Sequence, residues 1–349
     1  MRLPERPRVA IGVPLAPELV ARLADVVRLE VLYEPDVYPP LRYASDLYGP
    51  PDWQPDPDQE ARFWAACTRA HVLLGIPRNR PSLLRAAVEA NPELRWVHAT
   101  VAGGGSQVRA ARLSADDLAR LVFTTSAGVH AATLAEFVVY GLLCGAKDLP
   151  LMQADQRLHK WAEHRPLRHL GEMTVLVVGM GAIGRTVAER LCQFGATVIG
   201  VNRTPRDVRD VEMHLPDDIV EVARRADAVV NCLPGAVGTD HLISAEVLAA
   251  LKHGAIVVSV GRGACVDERA LIDGLTTGHL AFAALDVTAK EPLPGDSPLW
   301  DLPNVLISPH TAALSVHEAD RVVDLFLENV HRAFDGRPLL NLVNKELFY

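Results

Sequence analysis

A glycine-rich turn set between an apolar run and an amphipathic stretch constrains this chain more than any other feature in it. Within Glu172 to Thr204, Val175 to Val178 form an apolar run of the length of a buried strand, ending directly in Gly179, Gly181 and Gly184, a GxGxxG spacing. Arg185 to Phe194 then repeats apolar residues at helical spacing, Gly195 closes it, and Thr197 to Val201 is a second apolar run. In a strand–turn–helix–strand unit the first glycine permits the tight turn, the second lets backbone approach a pyrophosphate, and the third lets helix pack closely on strand. The free amides and positive end of the helix then favour phosphate. Glycine-rich turns alone arise widely for steric reasons; the flanking strand and helix make this one a dinucleotide site.

The rest of the chain alternates in the same way. Arg8 to Val13, Leu29 to Tyr33, His71 to Gly75, Leu94 to His98 and Val122 to Thr125 read as strands, with helices at Glu18 to Val27, Gln59 to Arg69, Ser82 to Ala90 and Ala115 to Leu121. Further strands follow at Ala226 to Leu233, Ala255 to Val260, Ala281 to Val287 and Val305 to Ser308, and a long helix at Val316 to Phe334. Such alternation predicts parallel sheets with helices on both faces. At 349 residues the chain exceeds one comfortable core, so the expected architecture is two α/β domains, the second inserted in the first.

Three stretches stand apart. Glu34 to Asp58 carries seven prolines with Tyr38, Tyr43, Tyr48 and Trp53, which forbids a regular helix or central strand; it reads as an arm packed on the surface by its aromatics, with a lid or partner-binding arm as the alternative. Ala102 to Ser106, with three consecutive glycines after a strand, reads as a flexible turn or as backbone amides offered to an anionic substrate group. Two helical stretches, Ala131 to Lys147 and Leu151 to Trp161, precede the glycine-rich unit; the first is apolar nearly all round and is expected to be buried between domains or subunits.

A formal net charge of −8 without a dense Lys or Arg block gives no footprint for nucleic acid. The apolar stretch at the N-terminus is too short and interrupted for a signal peptide, and no run approaches membrane-spanning length, so the cytoplasm is the expected location. Cys67, Cys144, Cys192, Cys232 and Cys265 have no CxxC or His/Cys ligand spacing; they read as buried free thiols, and no structural metal is expected.

GMGAIGR, then NCLPGAVGT (231–239), SVGRGACVDERAL (259–271), LDVTAKEPLP (285–294) and SPHTAA (308–313) follow one another in the order and spacing of the D-isomer-specific 2-hydroxyacid dehydrogenases, and from Leu94 onward the chain resembles that family. Before residue 94 the resemblance is one of layout, and the Pro-rich arm is a departure. The resemblance implies a Rossmann domain, residues 127–311, inserted into a flavodoxin-like substrate domain, residues 1–126 and 312–349. It also implies a catalytic set of Arg262, Glu291 and His310. A guanidinium can hold the carboxylate and carbonyl of a 2-oxo acid by paired hydrogen bonds. An imidazolium can supply the proton that the carbonyl oxygen needs as hydride arrives, and a nearby carboxylate favours that charged form.

By the same resemblance the cofactor is held by Gly179, Met180, Gly181, Ala182, Ile183 and Gly184, by Asn202, Arg203 and Thr204, and by Cys232, Leu233, Pro234 and Thr239. Val260, Gly261, Arg262, Asp286, His310 and Ala312 complete that set, with Asp286 at the position that binds the nicotinamide carboxamide. Ala102, Gly103 and Gly104, with Arg262 and His310, are implied to bind substrate; Gly104 stands where the family usually has an apolar residue, and Gly235 and Ala236 where it has bulkier ones.

An NAD site carries an acid at the end of the second Rossmann strand, about 20 residues past the glycines. Here Asn202 stands there, followed by Arg203, Thr204 and Arg206, which favours NADP over NAD. The expected activity is a 2-oxoacid reductase of glyoxylate or hydroxypyruvate type, acting as a homodimer through Ala131 to Trp161. The alternatives are a phosphoglycerate dehydrogenase-like enzyme and a nucleotide-sensing, corepressor-like binding protein. The 39 residues after His310 lead to the expectation that no regulatory domain is appended.

Overall fold

The computed structural model describes residues 3–204, 207–235, 238–346 and 348, and the chain forms two compact units, Met1–Val129 with Ser315–Tyr349, and His130–Leu314. The first unit runs β1 (Arg8–Ile11), α1 (Pro17–Ala24), β2 (Glu30–Leu32), α2 (Pro57–Arg69), β3 (Val72–Leu74), α3 (Pro81–Ala90), β4 (Trp96–Ala99), α4 (Gly104–Ala110), α5 (Ala115–Arg120) and β5 (Val122–Thr125). Among the described residues its strands make one parallel sheet in the order β2-β1-β3-β4-β5, the flavodoxin-like order, with its switch point between β1 and β3. Starts of helices are written locally: Asp56 and Gln59 form a reciprocal capping box before α2, with Pro57 at the first helical position.

The Pro-rich arm is ordered by one buried carboxylate. Asp46, with no exposed surface, accepts bonds from the Arg42 guanidinium and from the amides of Arg42, Tyr48 and Gly49, and these bonds outweigh desolvation to hold its carboxyl down at about 2. Tyr38 stacks on Tyr33 at 4.7 Å and donates to the Ile11 carbonyl, tying the arm to β1.

The second unit runs α6 (Ala131–Ala146), α7 (Leu149–Arg157), β6 (Thr174–Val178), α8 (Ala182–Gln193), β7 (Thr197–Val201), β8 (Val211–His214), α9 (Ile219–Ala223), β9 (Ala228–Asn231), α10 (Ala245–Ala250), β10 (Ala255–Ser259), α11 (Glu268–Thr277), β11 (Leu280–Leu285) and β12 (Val305–Ile307). Its parallel sheet has the order β12-β11-β10-β9-β6-β7-β8 among the described residues, so the order reverses between β6 and β9. That reversal opens a crevice at the strands' carboxyl ends, where doubly wound sheets take their ligands. The apolar runs of β6, β9 and β10 are wholly buried apart from Thr174, as strands covered on both faces must be.

The all-round apolar helix α6 finds its main burial elsewhere than expected: it lies on the sheet of its own unit. Gly141 and Gly145 let it approach so closely that a Cβ on either would press into Ala284 or Ile256. Tyr140 remains half exposed, and beyond α7 Leu158 and Trp161 are exposed, Trp161 at 97%. The chain then returns to the first unit as α12 (Glu318–Phe334), whose Phe326 stacks on Trp96 at 5.0 Å in the core beside β1 and β4. The five cysteines are free thiols, and no helix among the described residues is long and apolar enough to cross a membrane.

Candidate active site

The glycine turn after β6 has the shape its spacing implies. Gly179 takes φ +97° and sits so close to the strand exit of β9 that a Cβ would lie 2.9 Å from the Cys232 carbonyl carbon. A Cβ on Gly184 would overlap the Gly179 carbonyl, whereas one on Gly181 would meet nothing within 4 Å. Gly181 also starts the twelve-residue helix α8 without a side-chain cap. Close packing on one side and open space over the helix's first amides fit a dinucleotide pyrophosphate. Met180 is buried beneath this turn, while Ala182 and Ile183 are half-buried.

At the end of β7, the Asn202 amide donates to the His214 carbonyl at 3.1 Å and its Nδ2 to the Thr204 carbonyl at 2.9 Å, folding the chain back on itself. Arg203 and Thr204 are exposed there. Arg206, like Ala236 of the later loop, lies outside the described residues.

One buried amide that the motif reading passed over joins two of the predicted segments. Asn231, at the end of β9 with no exposed surface, donates from Nδ2 to Ser259 Oγ and to the Arg262 carbonyl, each at 3.0 Å, and its Oδ1 accepts from the Leu233 amide at 3.1 Å. The Cys232–Pro234 stretch and the Arg262 turn are therefore set from a single side chain, with Val260 donating its amide to the Asn231 carbonyl. A polar residue closing an otherwise apolar strand was the available signal. Thr239 Oγ1 donates to the Pro234 carbonyl at 2.9 Å and closes the following loop. Gly235 leaves the Arg262 stem its place, since a Cβ there would come within 3.2 Å of Arg262 Cγ. Arg262 itself is exposed and flanked by buried Gly261 and Gly263; a Cβ on Gly263 would overlap the Thr288 carbonyl, so the arginine turn rests directly on the segment leading to Glu291.

Glu291 and His310 meet. His310 Nδ1 and Glu291 Oε2 are 2.7 Å apart, both side chains part-exposed at 45% and 38%, and Glu291 Oε1 accepts from the Thr288 amide. An ionised carboxylate on Nδ1 fixes a proton on that nitrogen and leaves Nε2 for chemistry. His310 has φ +55°, held by the loop around it: Asp286 Oδ1 accepts from Ser308 Oγ at 2.8 Å and from the amides of Thr311 and Ala312 at 2.9 Å, while the His310 amide donates to the Asp286 carbonyl. The structure thus places Asp286, 2% exposed, as the anchor of the histidine loop. Ser308 and Thr311 were not singled out in the sequence because their partner lies more than twenty residues away.

In the other unit, Ala102 and Gly103 follow β4, and Gly104 is the first residue of α4 rather than part of a flexible turn. Gly104 and Gly105 are buried, and a Cβ on Gly104 would overlap that of Ala99 and lie 3.2 Å from Thr125 Cγ2. Lack of a side chain is here a packing requirement, which answers why an apolar residue is missing. Among the described residues no group of three or more His, Cys, Asp or Glu side chains could hold a metal ion.

Residues 139–312 match the model of the D-isomer specific 2-hydroxyacid dehydrogenase NAD binding domain. The chain is similar to the D-3-phosphoglycerate dehydrogenase of Mycobacterium tuberculosis, 32% identical over 344 residues, which covers 97% of this chain and 59% of that protein. It is also similar to the glyoxylate reductase of Korarchaeum cryptofilum, 34% identical over 234 residues, 64% of this chain and 69% of that one. Among solved structures, a D-isomer specific 2-hydroxyacid dehydrogenase from Xanthobacter autotrophicus Py2, in complex with NADPH and MES, superposes with a TM-score of 0.76 at 29% identity, covering 99% of this chain and all of that one.

Proposed function

Because this chain belongs to the D-isomer specific 2-hydroxyacid dehydrogenases, we propose that it transfers a hydride between a nicotinamide cofactor and a small 2-oxo or 2-hydroxy acid of D configuration, as a reductase of glyoxylate or hydroxypyruvate type. The observation that carries the reading is the 2.7 Å Glu291–His310 pair on a loop pinned by Asp286. In this reading the unit His130–Leu314 holds the cofactor. The Ala102–Gly104 amides take the substrate carboxylate. Arg262 pairs with the carboxylate and carbonyl oxygens of the substrate. His310 delivers the proton from Nε2 to the carbonyl oxygen, and Glu291 keeps Nδ1 protonated and stabilises the imidazolium. The bound cofactor supplies the hydride.

NADPH is the proposed reductant, supported by Asn202 in place of an acid, by Arg203 beside it, and by the NADPH in the Xanthobacter structure. Purified protein assayed by NADPH and NADH oxidation with glyoxylate, hydroxypyruvate and longer 2-oxo acids is expected to turn over with the higher kcat/KM for NADPH. Asn202→Asp with Arg203→Ala then shifts preference toward NADH, roughly tenfold or more, through an added repulsion and a lost cation beside the 2′-phosphate. A wild-type preference for NADH overturns the cofactor assignment. Similarity over 344 residues to phosphoglycerate dehydrogenase supports the second reading, which D-3-phosphoglycerate with NAD in the same panel tests. No turnover on any of these acids favours a nucleotide-sensing binding protein.

We further propose a homodimer formed by α6, α7 and the segment through Trp161, where Tyr140, Leu158 and Trp161 leave apolar surface uncovered. Light scattering at micromolar concentration is expected to give twice the 37.9 kDa chain mass, and a monomer there refutes it.

A further inference from the structure

The first unit contains a wholly buried histidine for which the proposed chemistry has no use. His98, the third residue of β4, has no exposed surface; its Nδ1 lies 2.8 Å from Thr124 Oγ1 and its Nε2 3.1 Å from Ser126 Oγ, both partners also buried and standing at the end of β5 and just beyond it. The direction of every proton in this chain can be deduced. Indole N–H is only a donor, so Trp96 Nε1, 2.8 Å from Thr124 Oγ1, gives that oxygen a hydrogen bond and frees the threonine hydroxyl to donate to His98 Nδ1. Ser126 Oγ donates at 3.1 Å to the Ala99 carbonyl, so it accepts from His98 Nε2–H. One neutral tautomer satisfies all members, running Trp96 to Thr124 to His98 to Ser126 to the Ala99 carbonyl. Burial opposes a second proton, holding the ring's pKa down at about 3.

The chain of bonds ends at the Ala99 carbonyl, three residues before the segment proposed above to bind substrate. Besides the Ala99 carbonyl, Ser126 holds the Val101 carbonyl through its own amide at 3.4 Å, and Ala99 and Thr125 are the residues that Gly104 packs against. We propose that His98 and Ser126 are positioning residues: the buried relay fixes the carboxyl ends of β4 and β5 against each other and so sets the Ala102–Gly104 amides at the spacing a substrate carboxylate needs. The proposal rests on the assignment of that loop to the carboxylate. A misplacement of about 1 Å in such a site costs up to about a hundredfold.

Ser126→Ala removes both the acceptor for Nε2–H and the donor to Ala99, and Ser126→Thr restores the hydroxyl. The alanine variant is expected to raise KM for the 2-oxo acid about tenfold or more while kcat at saturation and the Kd for NADPH stay within about twofold. Amides 101–105 should exchange hydrogen faster than in wild type while β4 and β5 keep their protection, and the threonine variant should return both readouts toward wild type. Thr124→Val, which removes both the donor to Nδ1 and the acceptor for Trp96 Nε1–H at nearly constant volume, is expected to move both readouts in the same direction and serves if the alanine variant does not fold. An unchanged KM in a folded variant, or a rise in exchange spread over the whole unit, overturns the proposal. If wild-type protein reduces no 2-oxo acid, the functional reading fails separately, and hydrogen exchange at 101–105 still decides whether the relay orders the loop.

Discussion

Replacing His310 by Asn or Ala is expected to lower kcat by about 10²–10⁴-fold while NADPH still binds. The geometry separates the two effects. Among the described residues the His310 ring hydrogen-bonds to Glu291, and the loop that carries it is held by Asp286 through Ser308, Thr311 and Ala312, none of which the substitution touches. Removing the imidazole therefore removes the proton donor and leaves the loop standing. Asn is the cleaner choice, because residue 310 has φ +55° and Asn tolerates that left-handed conformation better than Ala. Steady-state kinetics with NADPH and a 2-oxo acid, beside a fluorescence titration of NADPH, make the comparison; near-wild-type turnover in either variant would remove His310 from the mechanism.

Acid sensitivity is the second large effect, and it comes from His98. Its folded-state pKa of about 3 lies below the ordinary histidine value of about 6.5, so the unfolded chain takes up a proton that the folded chain refuses. The sign follows: this contribution is fully present above about pH 6.5 and is lost as the pH falls toward 3, amounting to about 5 kcal/mol across that window. Asp46 and Glu212, each held down at about 2 by its partners, lose their contributions only below the ordinary carboxylate range of about 4. His71, also lowered by burial, adds in the same window as His98, so the measurement is a difference. Denaturant midpoints of wild type and His98→Gln between pH 7.5 and 4.5 should converge as the pH falls, with the wild type losing about 2 kcal/mol more than the variant by pH 5. Parallel curves would mean that His98 is not buried as a neutral ring.

What the sequence disclosed follows the range of the forces involved. The β6–α8–β7 unit was readable because glycine spacing and apolar periodicity are local, and Arg262, Glu291 and His310 stood out as candidates because each sits in a motif just beyond a strand end. Strand β8 was missed since Glu212 and His214 make a short, partly exposed edge strand look like loop. Helix α4 was hidden by three glycines, which read locally as a turn; only Ala99 and Thr125, folded against Gly104, show why a helix needs them. The roles of His98, Asn231 and Asp286 were illegible for one reason: a buried polar side chain is explained by its partners, and these lie up to 31 residues away along the chain.

The contact of Gly263 with the Thr288 carbonyl reaches beyond packing. With no side chain between them, the turn bearing Arg262 and the segment bearing Glu291 behave as one cast piece, and whatever shifts one strand end carries guanidinium, carboxylate and imidazole along together. Selection for a new substrate has little purchase there, since no graded series of residues fits a space that admits only hydrogen. Divergence among members of this family should therefore accumulate at exposed positions of the first unit, such as Tyr43 and Tyr48 of the arm, which can change a residue at a time without disturbing the Glu291–His310 pair.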